Sequence, residues 1–441
     1  MDTITHGIAG TLIAKALFRG EDMFGPRGRS ATEKEKNKDA EEPRNLPQRE
    51  KHGSEDPPLE MMRPASGGGR YIPSRASMVT WALMLGAVFP DSDVLRDILS
   101  HDKLLVVTWH RSITHSLVML PLWALLLAWI TRGFCNWRKW EAPSFGALSL
   151  IYGAGILSHI LLDLVTSFGT MIWSPLEWSR PAWDLIFIID FTLSAILLLP
   201  QLLAWAYSQP EKTLRRGAGL CVVFLPVPLL IARMAEAAEA PVSNRTTLLA
   251  MIVLACVFLL PAIRQGGLRV SYGAWNRAGF GASLVYAALT FFAHRAALAR
   301  IEKFAQLDHL QVESIGALPL PPSLWHWDGL VRTERGVYEL RMDLSNKAAS
   351  DTELLAREHR YYPDASPNSY IEAAMRLPEV QKFLWFARFP VTGFHKEGNQ
   401  AIVEIRDVRF AQIRRDRPSL FTYRVRFDAS GNLLSQGWAT R

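Results

Sequence analysis

Apolar residues in this chain come in blocks, and the charges fall between the blocks. Read along the sequence, the blocks cover residues 3–19, 77–90, 117–131, 144–166, 184–207, 220–235, 248–263 and 280–297, which predicts about eight apolar helices. The first two are short for a membrane span, and Gly7 and Gly10 in the first permit close packing. Between them, residues 20–75 are rich in charge, Pro and Gly with almost no apolar periodicity, the pattern of a disordered insertion. From about Arg300 the period changes from the helical repeat to the two-residue one. Gly336–Asp343, Ala401–Phe410 and Phe421–Phe427 alternate apolar and polar as half-buried strands do. Asp428–Asn432 reads as a turn before a final strand, and Ser369–Trp385 as a helix broken at Pro378. The expected fold is mainly α: a polytopic α-helical membrane bundle followed by a soluble α+β domain over 300–441. Within the bundle, residues 1–19 and 76–200 form one helical domain and 201–299 add further transmembrane helices.

Charge sets the expected orientation. The connections after Thr131 (Arg132, Arg138, Lys139), Tyr207 (Lys212, Arg215, Arg216) and Ile263 (Arg264, Arg269, Arg277) are basic, and the one after Ala235 (Glu236, Glu239) is acidic. Basic loops favour the cytoplasm. Following the chain back and forth then puts His115, Asp163 and the loop 167–183 on the outer side, with Asp91, Asp93, His6 and the C-terminal domain beside them. The insertion falls inside. The net charge of +7 in a chain that is 49% hydrophobic fits such loops, and no aromatic-interleaved basic motif points to nucleic acid. Cys135, Cys221 and Cys256 form no CxxC pair, so neither a disulfide framework nor a cysteine zinc site is expected. The start, Met-Asp with His6 inside the apolar stretch, lacks the basic region of a cleavable signal peptide.

The expected outer helix ends carry the chemistry. His110-Arg111-Ser-Ile-Thr114-His115-Ser116 stands at the mouth of the 117–131 helix. The two histidines converge if His110 lies in the incoming turn and His115 in the first helical one. His159 and Asp163 are four apart, about 40° on a helix wheel, and reach one ion. Each feature has an ordinary explanation: a His–carboxylate hydrogen bond, a capped helix start at Thr114 or Ser116, a turn at Pro90-Asp91-Ser-Asp93, a core histidine at His6 oriented or capped by Asp2. Ionisable groups inside apolar spans are costly, however, and mark function. The joint expectation is a metal site from His6, Asp91, Asp93, His110, His115, His159 and Asp163, with zinc suiting mixed His/carboxylate donors. This set exceeds one tetrahedral shell, so either some members stand behind the ligands or the site holds two ions. Asp93 is the expected general base, and Arg111 the group that offsets an anionic substrate. Asp184 and Asp190 do not share a helix face and are left out of the ligand set, with Asp190 free to bond between helices. The Trp-rich loop 173–183 reads as an interfacial belt or a lipid-facing entrance. His294, His309, His326, His359 and His395 show no common spacing and read as structural or solvated.

Together, Met1-Asp-Thr-Ile-Thr-His6-Gly, Pro90-Asp91-Ser-Asp93, His110-Arg-Ser-Ile-Thr-His115-Ser and His159-Ile-Leu-Leu-Asp163-Leu-Val-Thr166 resemble the YdjM-like family. These are bacterial inner-membrane proteins for which metal-dependent hydrolysis is the inferred activity. Trp173-Ser-Pro175 and Trp183-Asp184 continue the likeness, which covers roughly residues 1–20 and 77–200 and does not reach 300–441. The order of ligands is also similar to that of zinc-dependent phospholipase C, by analogy only. The resemblance implies a multi-pass inner-membrane protein hydrolysing an ester or phosphoester, and the position at the membrane face adds a lipid-linked substrate. Two other readings remain open: a metal-stabilised scaffold whose outer domain, or disordered cytoplasmic segment, binds another protein, and a transporter with an intramembrane ion pathway.

Overall fold

The computed structural model describes residues 1–17, 73–100, 104–237, 243–263, 270–321, 323–345, 359–411 and 421–439. The expected disordered insertion and the loop charges Glu239, Arg264 and Arg269 lie outside these residues, apart from the insertion's last three positions. Helix α1 (Thr3–Leu17) is capped by Asp2, whose carboxylate accepts from Thr5 N at 2.9 Å. Helix α2 (Arg75–Val88) runs into a 3-10 turn, Phe89–Asp93, and a short α3 (Val94–Leu99). A one-turn α4 (Leu105–Thr108) and a second 3-10 turn, Ile113–His115, lead to α5 (Leu120–Arg138). Pro121 stands in the first turn of α5, so His115 precedes the helix and does not sit in its first turn. Helix α6 (Phe145–Leu164) is capped by Ser144. Helix α7 (Phe191–Tyr207) begins seven residues later than its apolar block, because Asp190 accepts from Thr192 N and Leu193 N and fixes the start. Then follow α8 (Thr213–Phe224), α9 (Pro226–Ala237), α10 (Asn244–Ile263) and a long α11 (Tyr272–Leu307).

The number of spans is smaller than expected. Among the described residues, Arg75–Arg96, Phe145–Leu164, Thr213–Arg233 and Tyr272–Leu307 are long and apolar enough to cross a bilayer. A fifth is added if Leu105–His115 and Leu120–Arg138, bent by 71°, form one broken span. Helix length explains part of the shortfall from eight: α1 has 15 residues, about 22 Å against a hydrocarbon core of about 30 Å. At 17 residues α7 is also short of the span criterion.

Helices α1, α2 and α6 approach to backbone contact where side chains are absent. A Cβ on Gly155 would stand 2.5 Å from Leu83 O, and one on Gly10 would stand 2.7 Å from the Ala87 Cβ. Leu83, Leu148, Ile151, Ile156 and Ile160 fill this core completely. Helix α7 packs along α11, with Pro200 seated on Gly279. Asp190 bonds between helices, accepting from the Tyr286 hydroxyl on α11 at 2.8 Å.

The C-terminal part holds two four-stranded antiparallel sheets. The first runs β1 (Val312–Leu320), β2 (His326–Thr333), β3 (Gly336–Asp343), β4 (Arg360–Pro363). Helices α12 (Ser369–Met375) and α13 (Pro378–Phe386) lead to β5 (Pro390–Glu397), β6 (Gln400–Asp407), β7 (Thr422–Phe427) and β8 (Leu433–Trp438). The first sheet packs Trp327, Val331 and Leu340 on Ile301 and Phe304, in the last turns of α11. The second shares its core of Phe383, Phe386, Val403 and Val425 with Leu104, Val107 and Phe168 from the helical part. The second sheet and its helices therefore lie against the helix ends that carry the histidines, and the first sheet against the end of α11.

Candidate metal centre

Three helix boundaries deliver four of the expected donors to one buried place. Asp91 comes from the turn after α2, His115 from the turn before α5, and His159 and Asp163 from the last turns of α6. Each offers a ligand atom, and the four atoms lie within 4.8 Å of one another. The glycine contacts matter here. Because α2 and α6 touch at the backbone, the carbonyl of Ala87 reaches His159 Nδ1 at 2.7 Å.

That contact fixes a tautomer. A carbonyl only accepts, so His159 Nδ1 carries a proton, which in the neutral ring leaves the lone pair on Nε2. The same holds for His115, whose Nδ1 faces Thr114 Oγ1 at 3.1 Å and Asp93 Oδ2 at 3.4 Å. Thr114 spends its own proton on Asp93 Oδ2 at 3.2 Å, leaving the imidazole as donor. The two rings then turn their Nε2 atoms toward each other across 3.1 Å. Asp163 adds a third acceptor. Its Oδ2 lies 3.3 Å from His115 Nε2 and 3.5 Å from His159 Nε2, and has no hydrogen-bond partner among the described residues. Its Oδ1 is occupied by Arg111 at 2.9 Å, by His6 Nε2 at 3.2 Å and by the Met1 amine. Asp91 Oδ1 closes the group, 3.5 Å from His159 Nε2 and 3.7 Å from His115 Nε2. Two imidazole nitrogens and two carboxylate oxygens gathered in one buried site are the donor set that a divalent cation takes, and such a cation makes every contact favourable. The residues fit a metal.

Three of the seven expected ligands stand behind these four. His6 stacks on the His159 ring with centroids 3.6 Å apart and holds Asp163. Asp93 uses both oxygens, accepting from His110 Nδ1 at 2.9 Å on one and from Arg111 N at 3.0 Å on the other. His110 is therefore tied to Asp93, outside the group of four. Arg111 has a left-handed backbone, φ +63°, a conformation that non-glycine residues hold only where surroundings enforce it. Its guanidinium is directed at Asp163 and at Thr166 Oγ1, 3.0 Å away.

Residues 64–258 match the model of the YdjM inner membrane protein family. Comparisons with curated proteins and with solved structures gave no match. The YdjM match contains Asp91, Asp93, His110, Arg111, His115, His159 and Asp163, and it runs further into the helical part than the motifs do. It does not contain His6 or the sheets.

The structure also adds residues that the motifs did not reveal. Phe168, just past α6, lies 5.9 Å from the His110 ring and 5.2 Å from Phe386 of α13. Arg409 donates to Ser167 O at 2.8 Å. Arg388 grips Asp184 with both terminal nitrogens at 2.9 Å. Burial pulls the Arg388 guanidinium down, but Asp184 more than offsets this and leaves it above its ordinary value. The C-terminal domain thus roofs the centre through the loop 165–190. No spacing in residues 300–441 signalled this, since such contacts are set by tertiary packing.

Proposed function

We propose that this chain is a membrane-bound, metal-dependent hydrolase of an ester or phosphoester, working at the outer face of a bacterial inner membrane. The observation that carries the reading is the convergence of His115 Nε2, His159 Nε2, Asp163 Oδ2 and Asp91 Oδ1, four ligand atoms within 4.8 Å of one another in one buried place. The proposed ligands are Asp91, His115, His159 and Asp163 around a single ion, with zinc suiting two imidazoles and two carboxylates. Such an ion, when bound, lowers the pKa of a bound water and polarises the scissile group. His6 and Arg111 hold Asp163 in place. Asp93 has no free oxygen, so the general-base part moves to His110, whose ring Asp93 orients in the manner of a carboxylate–imidazole pair. His110 is only partly buried, and Phe168 lies beside it.

The apolar helices and the family match support a multi-pass topology. We place the sheets outside the cytoplasm, on the side of the centre they cover. A thiol reagent that reaches a cysteine at position 430 only after the membrane is breached would reverse this orientation.

One observation favours a second reading, a metal-stabilised scaffold. Four protein donors fill a tetrahedral shell, whereas a catalytic ion keeps an open position. Cobalt substitution separates the two. A hydrolase predicts a visible spectrum that changes when a phosphodiester is added, together with hydrolysis abolished by chelation. A four-coordinate spectrum indifferent to every phosphodiester and ester tried, with no turnover, would leave the scaffold.

A further inference from the structure

Among the described residues, four arginines lie at the centre or in the contacts of the loop 165–190 that roofs it, and three of them have a carboxylate. Arg111 pairs with Asp163 at 2.9 Å, Arg388 with Asp184 at 2.9 Å and Arg409 with Asp407 at 2.7 Å. Arg180, in the loop between α6 and α7, has no carboxylate partner among the described residues. Its terminal nitrogens donate only to neutral carbonyls, Val107 O at 2.6 Å and Gly169 O at 3.1 Å, and its buried Nε has no partner. Aromatic rings of the loop and of α13 enclose the guanidinium: Phe168 at 5.0 Å, Phe386 at 5.3 Å and Trp385 at 5.7 Å. Burial, then the neighbouring charges of Arg111 and Arg409, push it down to about 9. Asp163 and Asp93 act in the opposite sense, but more weakly.

A desolvated cation without an anion is costly, and ring faces and carbonyls compensate only in part. Its planar fork matches a phosphate better than any other common side chain does. The place is also right for a substrate group. Arg180 and Arg111 both lie 5.0 Å from the ring of Phe168, which in turn lies beside His110. The outer rim is apolar: Leu95, Ile98 and Leu99 of α3 are exposed, and Trp178 packs on Trp109 at 6.2 Å.

We propose that Arg180 forms a binding site for a phosphate group, roofed by the C-terminal domain and adjoining the metal centre. That this phosphate belongs to the substrate rests on the hydrolase reading; the anion site itself does not. The role expected of Arg111 from sequence falls to Arg180, because Arg111 is already committed to Asp163.

The test is calorimetric titration of inorganic phosphate into the full chain in detergent, after chelation and without it. Saturable binding is expected in the chelated protein, weakened at least tenfold in Arg180→Gln and several-fold in Arg180→Lys, which keeps the charge and loses the fork. Binding by chelated wild type too weak to saturate would overturn the proposal while leaving the metal reading intact. Wild-type affinity in Arg180→Gln would do the same. Should Arg180→Gln not fold, an unchanged affinity in Arg180→Lys is the overturning result. Conversely, Arg180-dependent binding in a chain that never acquires metal keeps the anion site and removes the hydrolase. With phosphate binding established, displacement by phosphatidylcholine vesicles containing phosphatidate assigns the site to a lipid headgroup; failure to displace assigns it to a soluble phosphate ester.

Discussion

Two parts of the helical bundle are made of nearly the same amino acids and built in different ways. The candidate spans Arg75–Arg96 and Phe145–Leu164 have mean hydropathies of 1.3 and 1.8, and Thr213–Arg233 and Tyr272–Leu307 have 1.7 and 1.3. Yet the first two are 44% and 39% buried inside the protein and the second two 17%. Apolarity does not separate them. The difference comes from small residues that let backbones touch and from the polar cluster those contacts assemble. At the α8–α10 side, Gly217 makes one such approach, to Phe258 O, and the buried polar side chains there are few. Lipid can cover that surface; it cannot substitute for the packing around His159.

The sharpest way to break the contrast is to remove a ligand. His115→Ala and Asp163→Asn are expected to lose bound metal completely, measured by elemental analysis of desalted protein beside wild type. Asp93→Asn should weaken retention by about 10–100-fold, as loss of a ligand's outer partner commonly does, while His110→Ala keeps the metal and loses turnover. Wild-type metal content in both His115→Ala and Asp163→Asn would end the assignment.

Next in size is Gly155→Ala. Its new Cβ meets a backbone carbonyl that has nowhere to go, so thermal unfolding should shift downward by an amount corresponding to roughly 1–3 kcal/mol. Gly219→Ala, with nothing within 4 Å of its added Cβ, should instead gain up to about 1 kcal/mol of helix propensity. Equal responses at the two glycines would erase the distinction between the two regions.

A smaller effect is expected at the roof. Arg388→Ala leaves Asp184 buried and unpaired; with Arg388 itself one-third exposed, a loss of roughly 1–2 kcal/mol is expected. Hydrogen exchange should quicken in the loop 165–185 while the cores of α2 and α6 stay protected.

The smallest effect belongs to pH. Asp328, buried on β2 with Oδ1 unpartnered, has its carboxyl well above the ordinary value of 3.8, through burial first and then the charge of Glu339. The folded chain therefore holds a proton that the unfolded chain releases above about pH 4. The associated stability is full below the unfolded value and is lost as pH rises toward the folded one. Denaturation midpoints of the sheets should fall as pH rises above about 4 in wild type and lose that component in Asp328→Asn. An identical pH slope in both proteins would contradict this.

The metal donors could be read from sequence because costly groups at helix ends stand out against apolar spans. His159 and Asp163, four apart, share a face as their spacing requires. What spacing could not rank was distance from the ion: Asp93 and His110 look like ligands until the turn Phe89–Asp93 aims Asp93 at the backbone of Arg111. Strands β3, β6 and β7 were visible through alternation, and β8 through the turn Asp428–Asn432 that precedes it. Strand β2 was not, since five consecutive residues, Trp327–Val331, are buried and no period survives. Fewer candidate spans than apolar blocks are found among the described residues because helices such as α1, at 15 residues, fall short of the hydrocarbon core.

Helix α11 has one further consequence. It is a single rod of 36 residues, about 54 Å, when roughly 30 Å suffices for the hydrocarbon core. Its far turns are cemented into the first sheet, so no swivel separates the span from the roof. A thinner bilayer that tips the rod must tip the first sheet with it, and lipid thickness thereby acts on how the C-terminal domain packs over Phe168.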